Sequence, residues 1–158
     1  MRVLGVDFGL RKIGLALSDE EARLASPLRA LAVDSAAEAP GAVAAAAREV
    51  EAGVIVVGAP LGLEGEEGRI ELRRVRRFAQ ALRRATGLPV HLVDESLSSR
   101  EAEEGAGAGG AAAPGGGRSR AARDGAKDAL HSAAAAVILQ RWIDEAPRRA
   151  SRTARGAP

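Results

Sequence analysis

The stretch VLGVDFGLRKIGLALSD, residues 3–19, decides the architecture. Arg2 to Asp7 is short and rich in Val and Leu, as a strand should be. Phe8-Gly9-Leu10-Arg11-Lys12 is a polar, glycine-bearing turn, and Ile13 to Ser18 is a second apolar run. Two such runs across a short glycine turn read as a β-hairpin. Asp7 closes the first strand at the point where the chain enters the turn.

Working outward, Pro27 to Val33 is predicted as a third strand, entered through Ser26-Pro27. Ser35 is an N-cap type residue before a helix reaching about Ala52, with Gly53 as its stop. Val54 to Val57 are four consecutive apolar, mostly β-branched residues, as in a strand buried on both faces. Gly58-Ala59-Pro60 breaks that strand, and a Gly- and Glu-rich loop follows through Gly68. From Arg69 to Thr86, Ile70, Leu72, Val75, Phe78, Ala79 and Leu82 recur at helical spacing before Gly87-Leu88-Pro89. Val90 to Val93 is the last strand, ending in Asp94-Glu95. Ser98 can cap a short helix through Glu104, with Glu101 three residues on. Gly105 to Gly117, almost all Gly, Ala and Pro, is expected to be a mobile loop. A final helix is expected from about Asp124 to Asp144, stopped by Pro147.

The resulting order is β-β-β-α-β-α-β-α. Right-handed crossovers place the fourth and fifth strands parallel to the first. The expected α/β fold is a five-stranded mixed sheet of order 3-2-1-4-5, strand 2 antiparallel, flanked by helices: the RNase H-like arrangement. The domain is expected over residues 1–146, with a basic, disordered tail over 147–158.

A chain of 158 residues fits one domain. Apolar residues are 46% but aromatics only 2%, so Val, Leu, Ile and Ala must build the core. Of the 23 basic residues 21 are arginine, a bias that makes any single arginine a weak signal. The absence of cysteine excludes disulfides and Cys-based zinc sites. No signal peptide precedes Asp7 and no membrane-spanning stretch occurs, so a cytoplasmic protein without a membrane partner is expected. Arg148, Arg149, Arg152 and Arg155 make the tail +4 in a chain of net charge +2, which suits a polyanion or a merely solubilising end.

Strands 1, 4 and 5 of such a sheet end at one edge, and sites of α/β sheets lie beyond carboxyl ends. Asp7 ends strand 1 and Asp94-Glu95 ends strand 5, with the Gly58-Ala59-Pro60 turn between them. Strand neighbours face opposite ways, so only one of Asp94 and Glu95 should join Asp7. Asp128, in the first turns of the last helix, supplies a third acid, and small residues Ala133 to Ala136 let that helix approach the sheet. Asp124 lies one turn earlier and is an N-cap candidate. Clustered carboxylates without Cys or His ligands favour a hard ion, Mg²⁺ or Mn²⁺. Two such ions ~4 Å apart activate water and stabilise the leaving oxygen of a phosphodiester. Asp7, one of Asp94 and Glu95, and Asp128 are therefore the candidate catalytic and metal-binding residues. Arg11 and Lys12 in the hairpin turn, and Arg118, Arg120, Arg123 and Lys127 leading into the last helix, are candidate nucleic-acid contacts. Arg73, Arg74, Arg76 and Arg77 read as the solvated face of a helix. His91 is not read as a ligand; His131, one turn past Asp128, is an accessory candidate only. Ser98 and Ser99 lack a His-Asp partner for nucleophile chemistry.

With these segments in view the chain resembles the YqgF family, described both as Holliday junction resolvases and as pre-16S rRNA nucleases. The resemblance covers about residues 1 to 144 and rests on four segments in order. They are VLGVDFGLRKIGLALSD, VVGAPLGLEGEEG (56–68), LVDESLSS (92–99) and KDALHSAAAAVILQRWID (127–144). It implies an RNase H-like fold, a divalent metal, catalytic acids at Asp7, Glu95 and Asp128, and trimming of precursor rRNA at its 5′ end. The family usually has an arginine where this chain has Ser96, which removes a possible phosphate or carboxylate contact.

Three other activities compete. The same site could cut four-way DNA junctions, a symmetric task that favours a homodimer over a monomer. An ATP-binding module shares the DxG hairpin but needs a second domain for which 158 residues leave no room. A non-catalytic RNA-binding protein would use the arginines alone. The expected partner is structured RNA such as pre-rRNA, or branched DNA.

Overall fold

The computed structural model describes residues 1–95 and 120–155, with side chains placed as far as residue 146. β1 (Arg2–Asp7), β2 (Lys12–Ser18) and β3 (Ala25–Ala32) form an antiparallel meander. α1 (Ala39–Glu49) leads to β4 (Ala52–Ala59), and α2 (Gly65–Thr86) leads to β5 (Val90–Asp94). β4 pairs parallel with β1, and β5 parallel with β4, giving the predicted order β3-β2-β1-β4-β5. α3 (Arg120–Arg155) closes the chain.

Alternation along the strands builds two cores. Leu4, Val6, Ile13, Leu15, Ile55 and Val57 point to the side covered by α1 and α2. Val3, Ala16, Val54, Val56 and Val93 point to the other side, against Ala135, Ile138, Leu139 and Ile143 of α3. By the same alternation Asp7, Lys12, Gly58 and Glu95 lie on the α3 side. Phe8 lies on the α1/α2 side, stacked on Phe78 with centroids 4.4 Å apart.

The helix on the Asp7 side sits unusually close. A Cβ on Gly14 would lie 2.0 Å from the carbonyl oxygen of His131, and one on Gly5 would lie 2.7 Å from Leu139 Cβ. Only hydrogen at these two positions lets α3 rest on β1 and β2.

Several boundaries differ from expectation. α1 starts at Ala39 rather than after Ser35, because Pro40 belongs in a first helical turn and would break an interior one. It ends at Glu49, and the chain reverses through Glu51 at φ 55°, while Gly53 lies inside β4. α2 starts at Gly65, not Arg69: Glu66 and Glu67 in its first turn favour the positive end of the helix dipole. Its end at Gly87, left-handed at φ 70°, is as expected. Ile70 is exposed rather than part of the buried stripe.

At the far end, α3 continues through Pro147 to Arg155 instead of stopping, so the expected disordered tail is helical that far. A proline there removes one backbone hydrogen bond, and the Ala- and Arg-rich residues after it are strong helix formers. The expected short helix at Ser98 and the loop Gly105–Gly117 lie outside the described residues. Among the described residues no helix is long and apolar enough to cross a membrane.

Gly14 gives the first prediction. Gly14→Ala should lower stability by about 1–3 kcal/mol, the usual cost of overpacking, read as an earlier urea midpoint. Gly41→Ala in α1, where a Cβ meets nothing within 4 Å, should raise it by up to about 1 kcal/mol. A Gly14→Ala variant as stable as the parent would mean α3 can lift off at no cost.

Candidate active site

Three strand ends converge on one edge. Asp7 closes β1, Ala59 closes β4, and Glu95 follows β5 directly. The Glu95 N–H donates to the Ala59 carbonyl at 3.0 Å, which prolongs the parallel ladder by one step and fixes where the side chain leaves the backbone. Arg141 of α3 donates to the Asp94 carbonyl at 2.7 Å and ties the helix to the same strand end. Of the two adjacent acids, Glu95 is the one that reaches Asp7, as alternation requires.

Gly58 makes room for that approach. A Cβ there would stand 2.8 Å from Glu95 Oε2 and 2.5 Å from Ile138 Cδ1. The glycine of the Gly-Ala-Pro turn is thus a steric requirement of the carboxylate pair, in addition to ending the strand.

Asp7 and Glu95 hydrogen-bond through their side chains. Both are half-buried, and burial is the main force raising each pKa. The Glu95 carboxyl is pushed up to about 7, first by burial and then by the Asp7 charge, its hydrogen bond to Asp7, and the Glu71 and Asp94 charges. For Asp7 the hydrogen bond from Glu95 and the charge of His131 oppose the burial effect, yet the balance remains upward. The pair therefore shares one proton near neutrality: Glu95 donates and Asp7 accepts.

Asp128 does not join that pair. It forms an ion pair with Lys12 across the α3–β2 contact, the side chains being 43% and 29% exposed. Among the described residues no three His, Asp or Glu side chains are grouped closely enough to hold a metal ion. The donor set nonetheless suits a hard divalent cation at Asp7 and Glu95. Two adjacent, half-buried carboxylates that share a proton repel one another once both are ionised, which favours a cation between them.

The remaining candidates divide. Arg11 is exposed and its carbonyl accepts from Val33 N–H at 2.9 Å, so it shapes the hairpin as well as facing solvent. Arg120, Arg123 and Lys127 are exposed on the first turns of α3, as is Asp124. Arg118, Ser96, Ser98 and Ser99 lie outside the described residues. His131 is more closely involved than its sequence context suggests, since its charge acts on Asp7. Its position three residues past Asp128, on one helix face, was the available signal. Nothing in the sequence announced the Lys12–Asp128 pair.

The Holliday junction resolvase family RuvX matches residues 1–145. The chain belongs to this family. A relative from Anaeromyxobacter sp. (strain Fw109-5), named "Putative pre-16S rRNA nuclease", is 45% identical over 147 residues, covering 91% of this chain and 97% of its own. A second, from Anaeromyxobacter dehalogenans (strain 2CP-C) and named likewise, is 43% identical with the same coverage. Among solved structures, Thermus thermophilus RuvC in complex with a Holliday junction substrate is similar at TM-score 0.58 and 18% identity, covering 94% of this chain and 96% of that one. The Fowlpox virus resolvase, solved with junction DNA, is similar at TM-score 0.52 and 9% identity, covering 92% and 98%. At those identities the likeness is one of fold, and the fold is RNase H-like. Membership of RuvX makes the chain a nuclease, a hydrolase of phosphodiester bonds.

The shared proton has a measurable sign. Glu95 is raised from its ordinary 4.5 to about 7, so between these values the folded state binds more protons than the unfolded one. Stability of the metal-free protein should then fall as pH rises from about 4.5 to 7 and level off above. Glu95→Gln should flatten that slope in urea titrations run at several pH values. An unchanged slope in the variant would place the proton elsewhere.

Proposed function

We propose that this chain is a divalent-cation-dependent endonuclease of the cytoplasm that matures the 5′ end of precursor 16S rRNA. The observation that carries this is the Asp7–Glu95 pair. Two carboxylates from strands 88 residues apart in sequence meet at the carboxyl edge of the sheet, in a chain 45% identical to relatives of that name. Mg²⁺ or Mn²⁺ bound there would polarise a phosphodiester and lower the pKa of a water molecule.

The chain's own residues set up the rest. Asp7 and Glu95, relieved of their proton, present paired negative charge to the cation. Asp128, if released from Lys12, would supply a third ligand. Lys12 is then free to face the phosphate backbone beside Arg11, while Arg120, Arg123 and Lys127 line the approach from α3. His131 lies within electrostatic reach of Asp7, and its charge acts in favour of that acid's ionised form. Packing of α3 against β1 and β4 backs the pair with apolar side chains such as Ile138.

Asp7→Asn should retain the fold and nucleic-acid binding, yet lose Mg²⁺-dependent cleavage of a precursor 16S transcript by more than ~100-fold, beyond what loss of a supporting residue costs a metal site. Gel assays with and without chelator read this. Undiminished cleavage by the variant would sink the assignment, and a wild-type chain that binds but never cuts would leave an RNA-binding protein.

A second reading, cleavage of four-way DNA junctions, is favoured by the family description and by the fold shared with two resolvases. Offering both substrates with Mg²⁺ separates the two. Symmetric nicked duplexes from the junction, with RNA untouched, would displace the first reading.

The basic tail belongs to substrate binding in either case. Deleting residues 147–158 removes up to four arginine–phosphate contacts. The slope of log K against log salt should fall by up to about 3, at ~0.7 per contact on a single strand. An unchanged slope would make the tail a bystander.

A further inference from the structure

On the face of the sheet away from the acids, a cavity of about 570 Å³ opens between the turn before α1 and the side of α2. Phe8, Leu10, Phe78 and Ala81 line it, with Arg74 and Arg77 at its rim. Phe8 and Phe78 stack at 4.4 Å and 15°, and Leu10 is 53% exposed. A smaller recess of about 140 Å³ continues along α2 between Ile70 and Arg73, sharing the same two arginines. Among the described residues no acid lines either space. Arg74 makes a 3.6 Å ion pair with Glu71, while Arg73 and Arg77 have no ion pair among the described residues.

The composition of this cavity is selective. An apolar, partly aromatic wall favours a flat ring, and guanidinium groups at the mouth favour anions. Its size is in the range of small-molecule sites. Arg77 lies about one helical turn, ~5.4 Å, beyond both Arg73 and Arg74, so the three offer a patch of positive charge rather than one point. Phe8 directly follows Asp7, one Cα step of ~3.8 Å. An occupant of the cavity therefore lies one backbone step from Asp7 but across the edge of the sheet from the carboxylate pair. An uncharged protein segment would match the apolar wall but leave the arginines without counter-charge; a nucleic-acid strand, with a base beside each phosphate, satisfies both.

We propose that this cavity receives one unpaired nucleobase of the substrate strand, with the adjoining phosphates on Arg74, Arg77 and Arg73. The inference rests on the nuclease reading of the edge site and adds to it a subsite for single-stranded nucleic acid. It gives α2 a function that its helical arginine pattern alone did not suggest.

The test uses the full chain carrying Asp7→Asn, so that no strand is cut, and fluorescence anisotropy with labelled RNA and DNA, single-stranded and duplex. Adding Ala81→Trp, which fills the cavity, should weaken single-strand binding about tenfold or more, the effect of losing one stacked base. Duplex binding should change less than twofold, and the salt slope should stay put because no phosphate contact is removed. Adding Arg77→Glu instead, at an exposed position that does not threaten the fold, should weaken single-strand binding and reduce the salt slope. Single-strand affinity within twofold of the parent in both variants would overturn the proposal and leave the cavity to an apolar protein segment. Equal losses for single strands and duplexes would overturn it too. Should the unsubstituted chain fail to cut in Mg²⁺ while these binding differences hold, the nuclease reading falls and the subsite stands.

Discussion

The close seating of α3 on β1 and β2 is the constraint on which the site depends. Backbone meets backbone there, because a single methyl group on Gly14 would collide with the His131 carbonyl. From that contact the helix carries His131 to within electrostatic reach of Asp7, Asp128 onto Lys12, and Arg141 onto the end of β5. A helix held an ångström further out would keep the hydrophobic core largely intact and lose the register of these polar groups. Close packing and site geometry are thus one property of the same interface.

Electrostatics then separates two conditions of the pocket. Without a cation, the charge of the three acids is balanced by what the chain itself provides: a proton between Asp7 and Glu95, and the Lys12 ammonium for Asp128. The Lys12–Asp128 pair is partly exposed, so its contribution to stability is small, on the order of 0–1 kcal/mol. It is therefore easily exchanged for another partner. The Asp7–Glu95 pair is more deeply set, and its raised pKa records how poorly the site tolerates two bare negative charges.

Much of this was legible in the sequence. The alternation around Asp7, the β-branched run Val54–Val57 and the short Val90–Val93 strand sufficed for the strand order, because each was short, apolar and bounded by a glycine or proline. Asp7 and the Asp94-Glu95 strand end followed from topology, which brings the carboxyl ends of parallel strands to one edge, while the choice of Glu95 came from the family resemblance. Where the sequence misled, tertiary or local context won. Ser35 looked like a cap, but Pro40 set the helix start; Ile70 fitted the apolar stripe, but the stripe ends at the edge of the sheet's cover. Asp128 was rightly placed on the helix facing the site, while its actual partner, Lys12, is 116 residues away and invisible to any local pattern. The role of Gly58 was equally hidden, since a glycine required by a neighbour's carboxylate looks the same in sequence as one required by a turn.

Asp7 and Phe8 are adjacent in the chain but face opposite sides of the sheet. A polymer that touched both would have to fold over the sheet's edge within a nucleotide or two. Double helices are stiff on the scale of ~150 base pairs and bend that sharply only by kinking or unpairing. If one strand occupies both the cavity and the acids, as proposed, the edge would act as a mechanical filter, favouring frayed ends, loops and branch points on grounds of bendability before any base is read.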